Sequence, residues 1–452
     1  MSNTSSSSSE GGGDEGSGPS SPAPRRNGEP SSSRRRSAEA VWPEHFVEAV
    51  AIRVASDAAA SAGRLAAAPA LASFFQVCST WRAVSRSELL WREVSHLVFN
   101  RHRPLRPSWR EEFVRLHRTA RNFRLRRNAH HHVLPPSSEH CTRLAVSDDR
   151  LAAGFLDGSV ALFDLPTCQL LITYPPNLTR ERLGRFSQSI SGVILLLDRL
   201  VFASQDGDVH VADALDPPSW PARRSHVGSL MEDGTLVDFS GDNIRWVGLY
   251  AGVPGRSFRI WNSENEHVLF VGGSLTDPDS VAGWHLLTDL AGPSLGRARV
   301  GQPGTVMVAC TGSRLQAIDD TGDVLNEVGF GREAVVDCVD ACEGSVLVVD
   351  VRGTARVRQA HTLEELCRFN TVRRRDASLP GAVTGCMNWG YVLLCFGDGV
   401  IRVWDAATGE FLYRFRERIG EAGVVVASYR HVAAWSRGTG LHLWDFGDDL
   451  FD

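Results

Sequence analysis

Asp398-Gly399-Val400-Ile401-Arg402-Val403-Trp404-Asp405 reads as a tight turn followed by a short strand that ends in Trp-Asp. The Asp-Gly pair supplies the turn, because glycine tolerates a positive φ, and Val400, Ile401 and Val403 bring β-branched side chains to the strand. Trp404 stands six residues after the turn Asp398, and that offset can be sought elsewhere.

It recurs. Asp157 precedes Phe163-Asp164, Asp206 precedes Ala212-Asp213, and Gly255 precedes Trp261-Asn262 in the same frame. Gly312 with Ile318-Asp319, Arg352 with Arg358-Gln359, and Gly438 with Trp444-Asp445 continue it. Successive marked positions lie 49, 49, 57, 40, 46 and 40 residues apart, close to the ~40–45 of a WD-type repeat. Each unit is expected to be a four-stranded blade whose apolar faces only neighbouring blades can bury. The fold class expected is therefore mainly β, a propeller of about seven blades over residues 130–452. Short apolar runs at Ile194–Leu197, Val247–Tyr250, Val306–Ala309, Val346–Val349 and Val392–Cys395 are read as inner strands. Too little chain follows Trp444-Asp445 for a regular fourth strand, so Asn128–Cys141 is expected to supply it and close the ring. The longest connector, Ser274–Pro293 with Trp284 and His285, is expected to cover part of one face.

Ahead of the repeats the composition changes twice. Residues 1–40 are Ser-, Gly- and Pro-rich, with a basic triplet Arg34-Arg35-Arg36. So little apolar surface predicts a disordered tail, and the triplet is a candidate nuclear address. From Val41 the chain turns helical: Trp42-Pro43-Glu44 is a helix entry, and Phe46, Val47, Val50 and Val54 recur at helical spacing. Residues 41–95 are too few to bury a self-sufficient core, so this module is expected to complete itself against a partner.

Trp42-Pro43-Glu44, Val77-Cys78-x-x-Trp81-Arg82 and Leu90-Trp91 together resemble an F-box, whose pattern runs Leu-Pro-x-Glu, Val-Cys-x-x-Trp and Leu-Trp. Trp42 replaces the opening Leu, Glu44 follows the Pro directly, and the Ala-rich insert before Leu71 is long, so the first half departs most from the pattern. The resemblance implies a Skp-family adaptor as partner and, through it, a cullin. Carried over, it makes Trp42, Pro43, Phe46, Leu65, Leu71, Val77 and Cys78 the adaptor-facing candidates, with Trp81, Leu90 and Trp91 bracing the fold.

Residues 96–129 form a basic linker in which ten Arg between 101 and 127 oppose only Glu111 and Glu112. Trp109, Phe113, Leu116 and Phe123 interleave with them, which suits nucleic acid but equally suits a helix burying one stripe. The helical reading is preferred. Over residues 41–446 the chain resembles the plant STERILE APETALA family, in Leu236-Val237-Asp238-Phe239, Trp246-Val247-Gly248-Leu249, Ala251–Arg256, Phe270-Val271-Gly272-Gly273, Arg118–Arg124 and Leu443–Phe446. That resemblance implies nuclear action in flower, inflorescence and organ-size development, as a transcriptional regulator or a ubiquitin-ligase receptor.

The totals fit this division. Hydrophobic residues are 42% and charged residues 22%, which is globular composition. No apolar run is long enough to cross a bilayer, no secretory leader is expected, and no membrane partner is expected. Nine cysteines without a Cys-x-x-Cys pair read as reduced thiols, and Cys338 and Cys342 as strand or turn thiols. Residues 1–130 carry 20 Arg against 12 acidic residues, whereas residues 131–452 carry 28 against 41. All 48 basic residues are Arg and none is Lys.

No catalytic constellation is present: no Gly-x-Ser-x-Gly elbow, and no phosphate loop, which would need a Lys. His130-His131-His132 with His140 and Cys141 match no ligand spacing and are read as incidental; no metal or cofactor is expected. What remains is binding. In the blade frame Arg180, Arg182 and Arg185 fall in the first connection between blades, Arg373, Arg374 and Arg375 in the fifth, and Arg416 and Arg418 at the sixth. A rim of Arg on an acidic ring suits an acidic or phosphorylated protein ligand. Together with what the F-box and STERILE APETALA resemblances imply, this makes the expected role a non-enzymatic, nuclear substrate receptor of a Skp–cullin–F-box ubiquitin ligase acting on developmental repressors. The alternative is a transcriptional regulator touching DNA or transcription factors without ligase activity; nucleic acid is the less expected partner.

Overall fold

The computed structural model describes residues 42–447 apart from 134–139, 177–187, 215–221, 278–295, 302–305, 331–335, 343 and 372–382. The tail with Arg34–Arg36, Arg180, Arg182, Arg185, Arg373, Arg374, Arg375, and all but the first four residues of the 274–293 connector, Trp284 and His285 included, lie outside the described residues.

Five helices come first: α1 (Glu44–Ala62), α2 (Ala67–Phe75), α3 (Ser79–Val84), α4 (Glu88–Phe99) and α5 (Trp109–Arg124). Pro43 caps α1, its carbonyl accepting from the Phe46 and Val47 amides, where its own missing N–H costs nothing. Ser87 and Ser108 hydroxyls accept from the third amide of α4 and α5, at 3.3 and 3.2 Å. Alanines make the packing close: Ala51 and Ala55 of α1 are wholly buried in one cluster with Leu71, Leu90 and Val94.

Seven four-stranded antiparallel sheets follow, each a meander except the last. All seven marked positions, 163 to 444, fall on third strands of blades, so the six-residue frame was a true repeat. Gly399 illustrates why the turn is glycine: its φ is +73°, and a Cβ there would lie 2.4 Å from the Gly420 amide nitrogen. The seven innermost strands begin at Cys141, Ile190, Thr235, Arg297, Val336, Thr384 and Ala422, and each touches the next around a closed ring.

The assignment of the apolar runs needs correction. Four of them, at 247–250, 306–309, 346–349 and 392–395, are second strands, and Ile194–Leu197 leaves the innermost strand of blade two for its hairpin. Second strands are the ones covered on both faces, hence the unbroken apolar runs. The innermost strands line the axis and carry polar groups instead.

Those groups link into a girdle. Arg143 of blade one donates to the Ser191 carbonyl of blade two at 2.6 Å and to Asp238 of blade three at 3.2 Å. Asp238 accepts from Arg299 of blade four at 2.7 Å, and Arg299 reaches Asp340 of blade five at 2.9 Å. Asp340 accepts the Met387 amide of blade six at 2.8 Å. Burial alone would raise the Asp238 pKa, but Arg299, Arg143, Arg297 and the Ala298 amide outweigh it and hold the carboxyl below its usual range. Burial and Arg297 pull Arg143 down to about 10, against the pull of Asp238.

Closure is as expected. Strand Ala129–Val133, within the 128–141 segment, is the outer strand of blade seven, with Ala129 opposite Asp445 and Val133 opposite Leu441. His130 and His442 meet across this seam at 3.1 Å, and the His442 Nε2 lies 2.8 Å from the Thr439 hydroxyl. His132 bonds the Thr439 carbonyl and its ring lies 4.9 Å from that of His442. Glu417 is the carboxylate facing the row, held by the Trp444 indole at 2.9 Å. Burial, then His130 and His132, push His442 down to about 4; burial likewise pushes His431 down to about 4 against Asp445 and Asp148, with Arg430 adding to the fall. The unfolded chain takes up protons near pH 6.5 that the folded seam refuses, so stability is full above that value and falls as pH drops towards 4. Denaturant midpoints at pH 7 and 4.5 should differ by a loss on the order of 3 kcal/mol. His442→Gln should shrink that difference; an unchanged difference would remove the seam as its source.

Candidate functional site

The helical region leaves large apolar side chains exposed. Trp42 is 55% exposed, Phe46 45% and Val77 62%, and Pro43 and Cys78 are exposed beside them in sequence. Trp42 and Phe46 stack at 4.9 Å, one turn apart at the mouth of α1. Val77 and Cys78 form the turn between α2 and α3, with Cys78 extended at the helix start. Two candidates are placed differently. Leu71 is 1% exposed and belongs to the core between the helices, so it braces the module and does not face a partner. Leu65, on a 3-10 turn, is half-buried against the same core, and its carbonyl lies 3.3 Å from the His117 ring nitrogen.

The bracing residues are where they were expected. Trp81 stacks on Phe74 at 4.2 Å, Leu90 is buried, and the buried Trp91 donates its indole N–H to the Ser85 carbonyl at 2.7 Å. Leu89 and Leu97, 50% and 60% exposed on α4, escaped the sequence reading. Their eight-residue spacing on one helix was the signal.

Helix α5 fixes the helical region to the ring. Its Phe113, Leu116, Ala120 and Phe123 are buried, with Glu112 and Arg115 paired at 2.6 Å beneath Arg101. Phe123 stacks on Tyr391 at 4.7 Å and on Phe446 at 4.3 Å. Asn122 donates to the Gly447 carbonyl at 2.8 Å, and the Tyr413 hydroxyl donates to the Phe123 carbonyl at 2.6 Å. Tyr429, in the first hairpin of blade seven, donates to the Leu116 carbonyl, and Arg64 lies over Trp389 of blade six. In blade seven the Trp-Asp aspartate, Asp445, is gripped by Arg430 of its own sheet at 2.6 and 2.7 Å. In blade six Gly390 holds the corresponding place, and Asp405 takes its arginine from α5, Arg124 at 2.9 Å.

These contacts use the hairpins between first and second strands, the ends of third strands and the outer strand of blade six. The connection between blades six and seven lies on the other face of the ring. There Arg416 and Arg418 are exposed between blades six and seven, while Glu417 between them turns inward to Trp444. Arg437, in the turn between the second and third strands of blade seven, is exposed on the same face and was not anticipated. Glu421 is the nearest exposed carboxylate in sequence. Cys338 and Cys342 lie on the innermost strand of blade five, Cys338 pushed up to about 12 by burial. Among the described residues no group of three or more His, Cys, Asp or Glu could hold a metal ion, and no helix is long and apolar enough to cross a membrane.

No family model matches the chain. It is 45% identical over 433 residues to the transcriptional regulator STERILE APETALA of Arabidopsis thaliana, covering 92% of this chain and 95% of that protein. The chain belongs to the STERILE APETALA family. Among solved structures, the WD40 β-propeller domain of Doa1 is similar with a TM-score of 0.49 at 12% identity, over 70% of this chain and 97% of that one. The designed protein Ika8 gives 0.46 at 16% identity, over 69% and 98%. For this STERILE APETALA family member the fold is a seven-bladed propeller carrying a helical region on one face, as its own strands establish.

Proposed function

We propose that this chain is a non-catalytic receptor subunit of a Skp–cullin–F-box ubiquitin ligase, acting in the nucleus on developmental repressors. The observation that carries this reading is the exposure of Trp42, Pro43, Phe46, Val77 and Cys78 on a helical region locked to one face of the ring. Aromatic side chains held outward in water are costly unless a partner covers them. An adaptor on those side chains and a protein ligand on the Arg416–Arg418–Arg437 face would be held together, and catalysis would be proximity.

Co-purification of residues 41–452 with a Skp-family adaptor tests it. The pair should form a stable complex, and Val77→Asp with Cys78→Asp should weaken it at least about 100-fold, since two carboxylates would be desolvated in an apolar contact. No complex from the folded parent chain would sink the proposal.

A second reading is favoured by the name of the Arabidopsis relative, a transcriptional regulator. Against direct DNA contact, Phe113 and Phe123 of the basic linker are buried and offer no rings for base stacking, and Trp109 is half-buried against the helical core beside His96. Contact with transcription factors through the open face accommodates both readings.

A further inference from the structure

All 48 cationic side chains in 452 residues are Arg, although Lys is among the commonest residues of globular proteins. Guanidinium geometry explains some of these positions. Arg430 grips Asp445 with two nitrogens, Arg402 grips Asp398 at 2.6 and 3.1 Å, and Arg299 bridges two buried carboxylates. It does not explain Arg53, which makes an ordinary i,i+4 pair with Asp57 on α1, with 79% and 59% of the two side chains exposed. Arg103, Arg110 and Arg368 are exposed positions at which an ammonium would serve as well.

What Arg and Lys do not share is nucleophilicity. Ubiquitin transfer needs an uncharged amine to attack the carbonyl of a thioester; the C–S bond breaks, an amide C–N bond forms, the amine loses a proton and the carrier's thiolate leaves. A Lys amine deprotonates near ~10.4 and can do this, whereas guanidinium stays protonated above ~12. Of the nine thiols eight are buried or half-buried, and Cys78, the exposed one, lies on the surface proposed to meet the adaptor. The rigid α5 junction matters here, because it holds the ring at a fixed distance from whatever the helical region binds.

We infer that the lysine-free chain is a self-protected receptor, able to sit beside an activated ubiquitin carrier without becoming a lasting acceptor of ubiquitin on its side chains. This rests on the receptor reading above. The test compares the parent full chain, a variant carrying Arg53→Lys, Arg103→Lys, Arg110→Lys and Arg368→Lys, and the parent with a flexible lysine-bearing tag. All three are assembled with adaptor, cullin and ubiquitin-charged carrier, then followed in plant cells after translation is blocked.

The tagged chain should be conjugated, which establishes an active complex. The parent should stay unmodified, the four-lysine variant should form conjugates, and its half-life should fall at least about threefold, restored by proteasome inhibition. A parent conjugated as heavily as the variant would overturn the inference. So would a variant that holds adaptor, stays unmodified beside a conjugated tagged chain, and keeps the parental half-life. Failure of every chain to hold adaptor would overturn the receptor reading, and this inference with it.

Discussion

Asp238→Ala should destabilise the ring by about 3–5 kcal/mol, the cost of leaving a buried ion-pair partner without its counter-charge. Asp238 is 1% exposed and accepts from Arg143, Arg299 and the Ala298 amide at once. Arg299 keeps Asp340, but Arg143 has no second carboxylate within ion-pair distance among the described residues, only the Ser191, Val237 and Thr142 carbonyls. Asp238→Asn should cost less, because its amide oxygen still accepts from Ala298 and one guanidinium. Because the Asp238 pKa lies below its unfolded value of about 3.9, its contribution is present above that pH and lost as pH falls through the folded value. Denaturant melts of the two variants at pH 7 measure the difference. A loss below about 1 kcal/mol for Asp238→Ala would mean that the girdle is not what holds blades one, three and four in register.

Phe123→Ala should be comparably severe, at about 3–5 kcal/mol for a fully buried aromatic. Its ring is sandwiched between Tyr391 of blade six and Phe446 after blade seven, so truncation opens a void in the junction itself. The effect should be local before it is global. Limited proteolysis should cut between α5 and the closing strand, near Leu125–Asn128, at protease levels the parent chain survives. Arg121→Ala, on the exposed side of the same helix, should change stability by less than about 0.5 kcal/mol. Equal proteolysis of Phe123→Ala and parent would show that the hydrogen bonds of Asn122 and Tyr413 suffice to hold the junction.

The repeats were legible because their signal is local. A turn residue, a glycine and an apolar third strand lie within eight residues, so even Arg352–Gln359, with no Trp-Asp pair, kept the frame. The girdle was not legible, because Arg143 and Asp238 are 95 residues apart and no period connects them. Leu71 shows a different limit. The F-box resemblance marked it as partner-facing, but whether an apolar side chain there meets a partner or the neighbouring helix depends on where α1 and α4 lie. Arg358 is the reverse case: a guanidinium at a position apolar in the other blades, accommodated by the Leu363 carbonyl at 2.7 Å.

The strand Ala129–Val133 has a practical consequence for how this chain can be taken apart. It is covalently the tail of the helical region and structurally the rim of the last blade. A fragment beginning after Val133 would carry six complete sheets and a seventh missing its outer strand, with Gly440–Asp445 left as a raw edge open to any passing strand. A fragment ending before Ala129 would strip Phe123 and Asn122 of the surfaces that bury them. The two modules are therefore not interchangeable cassettes, and a graft onto another ring must bring its clasp with it.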